Sequence, residues 1–140
     1  MARLLALGAP TEHKGGYRKW TPLIAAADRG HIEVVILLAN GGANLEARNI
    51  AGLTAIMWAS NHGRLAIVKL LSDKGSSINA RSNRGRDALL WAALNGHLDV
   101  CLFLVSRSGD PRVADNFNET ALTHFGYYAC LLYTSDAADE

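Results

Sequence analysis

The side chains of this 140-residue chain that could do chemistry are few and scattered. There are five histidines, His13, His31, His62, His97 and His124, and two cysteines, Cys101 and Cys130. A zinc site needs several converging ligands, commonly supplied by H-x-x-x-H or C-x-x-C segments. Neither segment occurs. Two cysteines make no disulfide framework, which fits a reducing compartment and an intracellular, cytoplasmic setting. No phosphate loop of the G-x-x-x-x-G-K-[ST] type, no G-x-S-x-G elbow and no G-x-G-x-x-G fingerprint is present. Asn118-Glu119-Thr120 has the form of a glycosylation acceptor, but Thr120 also has a structural use given below. We therefore expect no catalytic residue, no metal and no cofactor. His31 and His97 stand two periods of 33 apart, where a packing and hydrogen-bonding role between helices is expected, and that period organises the rest of the chain.

Thr21, Thr54, Asp87 and Thr120 are spaced at intervals of 33, as are Gly30, Gly63 and Gly96, and Ala26, Ala59 and Ala92. Trp58 and Trp91 keep the same spacing, and so do the pairs Leu37-Leu38, Leu70-Leu71 and Phe103-Leu104. Independent columns on one period without insertions signal a stacked solenoid. Each column has a physical reason. Thr and Asp are N-cap types whose oxygen can accept from a free first-turn amide. Pro22 suits the first helical position, where an N–H is not needed. A short helix rich in small residues follows, and the glycine suits a left-handed residue that ends it. A second helix begins almost at once, with an apolar stripe through Ile32, Val35 and Leu38 widened by Val34 and Leu37. Cys101 occupies the Val35/Val68 column and reads as a small core side chain. Gly42 and Gly75 close the second helix. In the third unit Ser108 takes that slot and Gly109 follows one place late, which predicts an altered cap. Polar linkers, 44–52, 77–85 and 110–118, lead to the next unit.

The composition agrees with a folded array. Apolar residues make up 49% of the chain, and the formal charge is +1. Neither a polyanion nor an acidic membrane is implied by that balance. No apolar run reaches the roughly 18 residues of a membrane span. The start of the chain resembles a signal peptide at first sight, but Leu4 to Leu7 is too short an apolar region. Those residues lie 33 before Leu37-Leu38 and read better as the tail of an earlier unit.

At these residues the chain resembles the ankyrin repeat. The family pattern T-P-L-H is matched by TPLI at 21–24, TAIM at 54–57 and DALL at 87–90. Its A-A-x-x-G-H is matched by AADRGH at 26–31, its V-V-x-L-L by VVILL at 34–38, and its G-A-D-x-N-A by GANLEA at 42–47. The family histidine is replaced by Ile24, Met57, Leu90 and Thr123, which makes the start of each complete first helix more apolar. The resemblance implies an all-α solenoid of helix-turn-helix pairs joined by hairpin-like loops. Whole repeats are expected at 14–46, 47–79 and 80–112, with partial ones at 1–13 and 113–129. Residues 130–140 keep no part of the pattern. They resemble the translation of a transposon-end adapter used in sequencing libraries, so a non-native tail is expected there, a genuine polar tail being the alternative. Without Asp136, Asp139 and Glu140 the chain has 14 basic and 10 acidic groups, a net +4.

The resemblance also implies a binding mode. In ankyrin stacks the hairpin tips and exposed first-helix positions line a concave face. The corresponding positions are Tyr17, Arg18, Trp20, Asp28 and Arg29 in the first repeat. In the second they are Ile50, Ala51, Leu53, Asn61 and His62, and in the third Asn83, Arg84, Arg86, Leu94 and Asn95. This face is aromatic at one end, apolar in the middle and basic at the other, where Arg48 and Arg81 add charge. Trp, Tyr and Arg are the types enriched at binding hot spots. Trp58 and Trp91 either stack between neighbouring helices or add an aromatic strip to the groove. The expected partner is another protein, bound as an elongated segment, with no small-molecule substrate and no membrane. The alternatives are an ankyrin segment of a larger enzyme, channel or effector, and direct nucleic-acid binding through Arg48, Arg81, Arg84 and Arg86. Trp20→Ala and Arg86→Ala are expected to weaken binding without unfolding the array.

Overall fold

The computed structural model describes residues 20–107 and 109–124. Expectations that fall on Leu4 to Leu7, His13, Tyr17, Arg18, Ser108, Cys130 and the segment 125–140 lie outside these residues. Among the described residues seven helices run in order: α1 Pro22–Arg29, α2 Ile32–Asn40, α3 Ala55–Asn61, α4 Leu65–Asp73, α5 Ala88–Leu94, α6 Leu98–Ser106 and the single turn α7 Ala121–His124. No strand occurs among the described residues.

The capping column works in most units. The Thr21 hydroxyl accepts from the Ile24 amide at 3.1 Å, and Asp87 Oδ1 accepts from the Leu90 amide at 2.9 Å. Thr120 Oγ1 accepts from the Thr123 amide at 3.2 Å. Thr54 differs. Its backbone has the same extended setting, but its buried hydroxyl makes no hydrogen bond. The glycines at 30, 63 and 96 all have positive φ, between 70° and 76°. Each lets the chain leave one helix and enter the next within two or three residues. For the altered cap expected in the third pair, the structure describes Gly109 but not Ser108. The Gly109 amide donates to the Leu104 carbonyl at 2.8 Å, as the Ala43 amide does to Leu38 and the Ser76 amide to Leu71.

Packing follows the same ruler. α3 lies between α1 and α5, α4 lies between α2 and α6, and the first helices contact one another more extensively than the second helices do. Ala26, Ala59 and Ala92 are buried in that inner layer, where the absence of a long side chain permits close approach. Leu23, Ile56 and Leu89 form a second buried column, and Val35, Val68 and Cys101 a third. Ile24, Met57 and Leu90, which replace the family histidine, are also buried, so the substitution adds to the core. The core is thus one continuous strip whose layers repeat every 33 residues. No helix of the described residues is long and apolar enough to cross a membrane.

Candidate partner-binding face

The loops that carry the candidate face are built by a column that the sequence reading did not use. Asn49, Ser82 and Asp115 are 33 apart and all buried. Asn49 Oδ1 accepts from the amides of Ala51 and Leu53, at 2.9 and 3.0 Å. Asp115 Oδ1 does the same for Phe117 and Glu119, at 2.8 and 2.9 Å, and Ser82 Oγ accepts from Arg86 at 3.3 Å. Short side chains that bond their own loop amides fold these segments locally. A backbone bond closes each loop, from Asn49 to Leu53, from Ser82 to Arg86 and from Asp115 to Glu119. The spacing of three turn-forming residues was the available signal.

Successive tips are then tied together. The Asn83 amide donates to the Ala51 carbonyl at 3.1 Å, and the Asn116 amide to the Arg84 carbonyl at 2.9 Å. The Asn83 side chain donates to the Ile50 carbonyl and the Asn116 side chain to the Asn83 carbonyl, each at 3.1 Å. Arg48 donates to the carbonyls of Gly52 and Arg81, and Arg81 to those of Gly85 and Ala114. Each bond recurs one period later. Asn83, Arg48 and Arg81 therefore hold the face in shape as well as lying on it.

The first helices meet through two unlike clusters. Between α1 and α3, Asp28 Oδ1 accepts from Trp58 Nε1 and lies 2.9 Å from His62 Nε2. The Trp58 ring meets Trp20 edge-on, with centroids 5.2 Å apart, and His62 lies edge-on to it at 5.4 Å. Between α3 and α5, Asn61 replaces Asp28, and its Oδ1 accepts from Asn95. Trp91 Nε1 is buried there without a hydrogen-bond partner. Behind both clusters the next repeat reaches back to a carbonyl: Arg64 donates to that of Asp28 at 3.1 Å, and His97 Nε2 is 3.1 Å from that of Asn61. That is the inter-helix role expected of the histidine column at His97. His31, by contrast, is exposed and makes no capping bond.

The anticipated positions fall into distinct settings. Trp20, Asp28 and Asn61 are half-buried and His62 is exposed, all within or beside the two clusters. Arg29, Ile50, Ala51, Asn83, Arg84 and Asn95 are exposed, Ile50 at 60%. Leu94 is half-buried. Leu53 turns inward and is only 2% exposed, because it closes its loop against the core. Ala51, Leu53, Trp58, Ser82, Asn83, Arg84 and Trp91 border a hollow of about 200 Å³ between the second and third tips. Trp58 and Trp91 are each half-buried, so both edge this hollow while packing within the stack.

Arg86 is more deeply engaged than its sequence position suggested. Its side chain is 13% exposed, and its Nε is 3.0 Å from Oδ2 of the fully buried Asp115. Glu119 lies 3.8 Å from the same guanidinium. The guanidinium also lies over Trp91 and Phe117, at 5.0 and 5.9 Å from the ring centroids. Burial alone would raise the Asp115 carboxyl, but the Glu119 amide, the Arg86 guanidinium and the Phe117 amide together hold it below the usual carboxylate range. Asp87 shifts the other way, because burial outweighs its capping bond to Leu90. Burial also pushes the Cys101 thiol up to about 12, which makes it an inert core group. Among the described residues no cluster of His, Cys, Asp and Glu could hold a metal ion.

The model of the family described as ankyrin repeats, three copies, matches residues 1–82 and again 49–118. The chain is also 46% identical over 54 residues to ankyrin repeat and SOCS box protein 11 of Homo sapiens and to that of Pongo abelii. That stretch is 39% of this chain but only 16% of each relative, so the chain spans a small part of their length. Ankyrin repeats are generally protein-interaction modules, and the family is typically non-catalytic. With its 33-residue columns, its paired helices and its stitched loop tips, the chain belongs to the ankyrin-repeat family.

Proposed function

We propose that this chain binds a partner protein on the face formed by its loop tips and first helices, the concave side of stacks in this family. The observation that carries the reading is the stitching of the tips. Bonds from Asn83 to Ile50 and from Asn116 to Asn83 hold exposed Ile50, Ala51 and Arg84 on a fixed framework. A surface ordered before binding loses little entropy on association. Trp20, Asp28, Arg29, Asn61, His62, Leu94 and Asn95 extend it along the first helices. Tyr17 and Arg18, of the same proposed set, lie outside the described residues. Whole repeats at 14–46, 47–79 and 80–112 fit this arrangement, with partial units at 1–13 and 113–129.

Photo-crosslinking tests the reading and identifies the partner. A photoreactive residue at Ile50 or Arg84 is expected to trap the same protein, and one at Lys69, on a second helix, is expected to trap none. Adducts obtained only from Lys69 would place the interface on the opposite side. The likeness to ankyrin repeat and SOCS box proteins supports a second, compatible reading. In it these repeats are the partner-recognising part of a longer multidomain protein.

A further inference from the structure

The second and third loops, 47–53 and 80–86, carry four arginines and no acidic residue. Arg86 is neutralised by Asp115 and Glu119. The other three, Arg48, Arg81 and Arg84, are exposed, and none forms an ion pair among the described residues. Arg48 and Arg81 spend their donors on backbone carbonyls, which satisfies the hydrogen bonds and leaves the charge. Among the described residues Arg84 finds no side-chain hydrogen-bond partner, and it borders the 200 Å³ hollow edged by Trp58 and Trp91. That hollow is below the roughly 300–1,000 Å³ of ordinary small-molecule pockets. It has room for one aliphatic or aromatic side chain.

Resting on the binding face proposed above, we infer that the hollow between the second and third tips anchors an acidic peptide segment of the partner. One apolar side chain enters between the Trp58 and Trp91 edges, and a neighbouring Asp or Glu pairs with Arg84. The arginines at 48 and 81 add attraction along the same edge. Trp58 is already fixed by Asp28 and Trp20, and Trp91 by the guanidinium of Arg86, so little ordering remains to be done on binding. A planar guanidinium free of other partners is suited to a bidentate grip on a carboxylate. A nucleic acid is the less suited occupant. Three arginines confined to two neighbouring loops are too few cations to follow a continuous phosphate backbone.

The test is selection from a random short-peptide display library on the 140-residue chain, followed by affinity measurement on four proteins. These are the unmodified chain, Arg84→Ala, Lys69→Ala and Trp20→Ala. Lys69 is the control, an exposed cation on a second helix, off the proposed face. Selected peptides are expected to carry Asp or Glu within a few residues of an apolar one. Arg84→Ala is expected to weaken them roughly tenfold, the effect of one charge-assisted pair, and Lys69→Ala to leave them unchanged. Equal losses from both of these variants would mean unspecific charge attraction and overturn the inference. Peptides sensitive to Trp20→Ala but not to Arg84→Ala would also overturn it while leaving the wider face intact. Peptides indifferent to both would sink the face itself. A library that yields no binder overturns the inference, as does displacement of the peptides by a short single-stranded oligonucleotide with a steep salt dependence.

Discussion

Two junctions between the first helices use the same columns with different residues. At α1/α3 a carboxylate, Asp28, takes a hydrogen bond from an indole and lies beside an imidazole. At α3/α5 an amide, Asn61, takes one from Asn95, and the equivalent indole N–H of Trp91 is left buried and unpaired. The first junction satisfies its indole N–H, whereas the second leaves its own without a partner and depends more on packing. Behind them the order is reversed. The flexible Arg64 tip covers Gly30, whereas the His97 ring covers Gly63 and is held by the Asn61 carbonyl. The same fold thus fixes its junctions by polar bonds at one place and by steric fit at another.

The largest break in this comparison is expected at the glycines. A Cβ on Gly63 would lie 2.5 Å from His97 Nδ1, and φ is 70°. Gly63→Ala should cost roughly 3 kcal/mol, combining left-handed strain with loss of the His97 bond. Gly30→Ala meets only the movable Arg64 guanidinium, at 2.9 Å, and should cost about 1–2 kcal/mol. Urea unfolding of the two variants decides the matter, and equal losses would remove the distinction. Next in size is Asp28→Ala. It orphans the Trp58 indole and should cost about 2 kcal/mol, read as a lower urea midpoint.

A smaller effect sharpens the contrast from the other side. Asn61→Asp supplies the second junction with the first junction's acceptor and should stabilise the chain by about 1 kcal/mol if Trp91 takes it up. Trp91→Phe removes the unpaired N–H while keeping most of the ring, so it should abolish that gain. A gain that survives in the double variant would point to another cause.

The smallest effects lie in acid. Asp87 has a raised folded-state pKa, so its ionisation works against folding. That penalty is full above the raised value and vanishes below the ordinary one near 3.8. Asp115 has a lowered folded-state pKa, so its contribution is present above about 3.8 and is lost as pH falls towards the lowered value. Thermal melts across acid pH should show Asp115→Asn removing a loss on acidification and Asp87→Asn removing a gain. Arg86 belongs to the same balance. Removing it leaves the buried Asp115 without its cation, so Arg86→Ala should loosen the last loop by about 2 kcal/mol as well as alter the face. The expectation that this variant spares the array does not fit the ion pair.

Much of the architecture was legible before any coordinates. Spacing placed the caps at Thr21 and Asp87, the turns at Gly30 and Gly63, and the core columns through Ala26 and Val35, because each depends on residue type at a fixed interval. The candidate face was legible only as a set of positions. Leu53 read as a contact residue and proved to be core, and Arg86 read as a contact residue and proved to be held in an ion pair. The Asn49/Ser82/Asp115 column was visible as spacing, but its role as a loop builder was not.

By itself, then, the sequence determined the period, the helix pairs and the apolar strip they bury, since local propensity and burial pattern are written residue by residue. Only the tertiary structure decided which polar groups find partners. The bonds of Asp28, Arg48, Asn83 and Arg86 cross from one repeat to the next, about 30 residues away along the chain. Whether a side chain there is a free contact or a structural tie depends on the distance between repeats, which residue types alone do not specify.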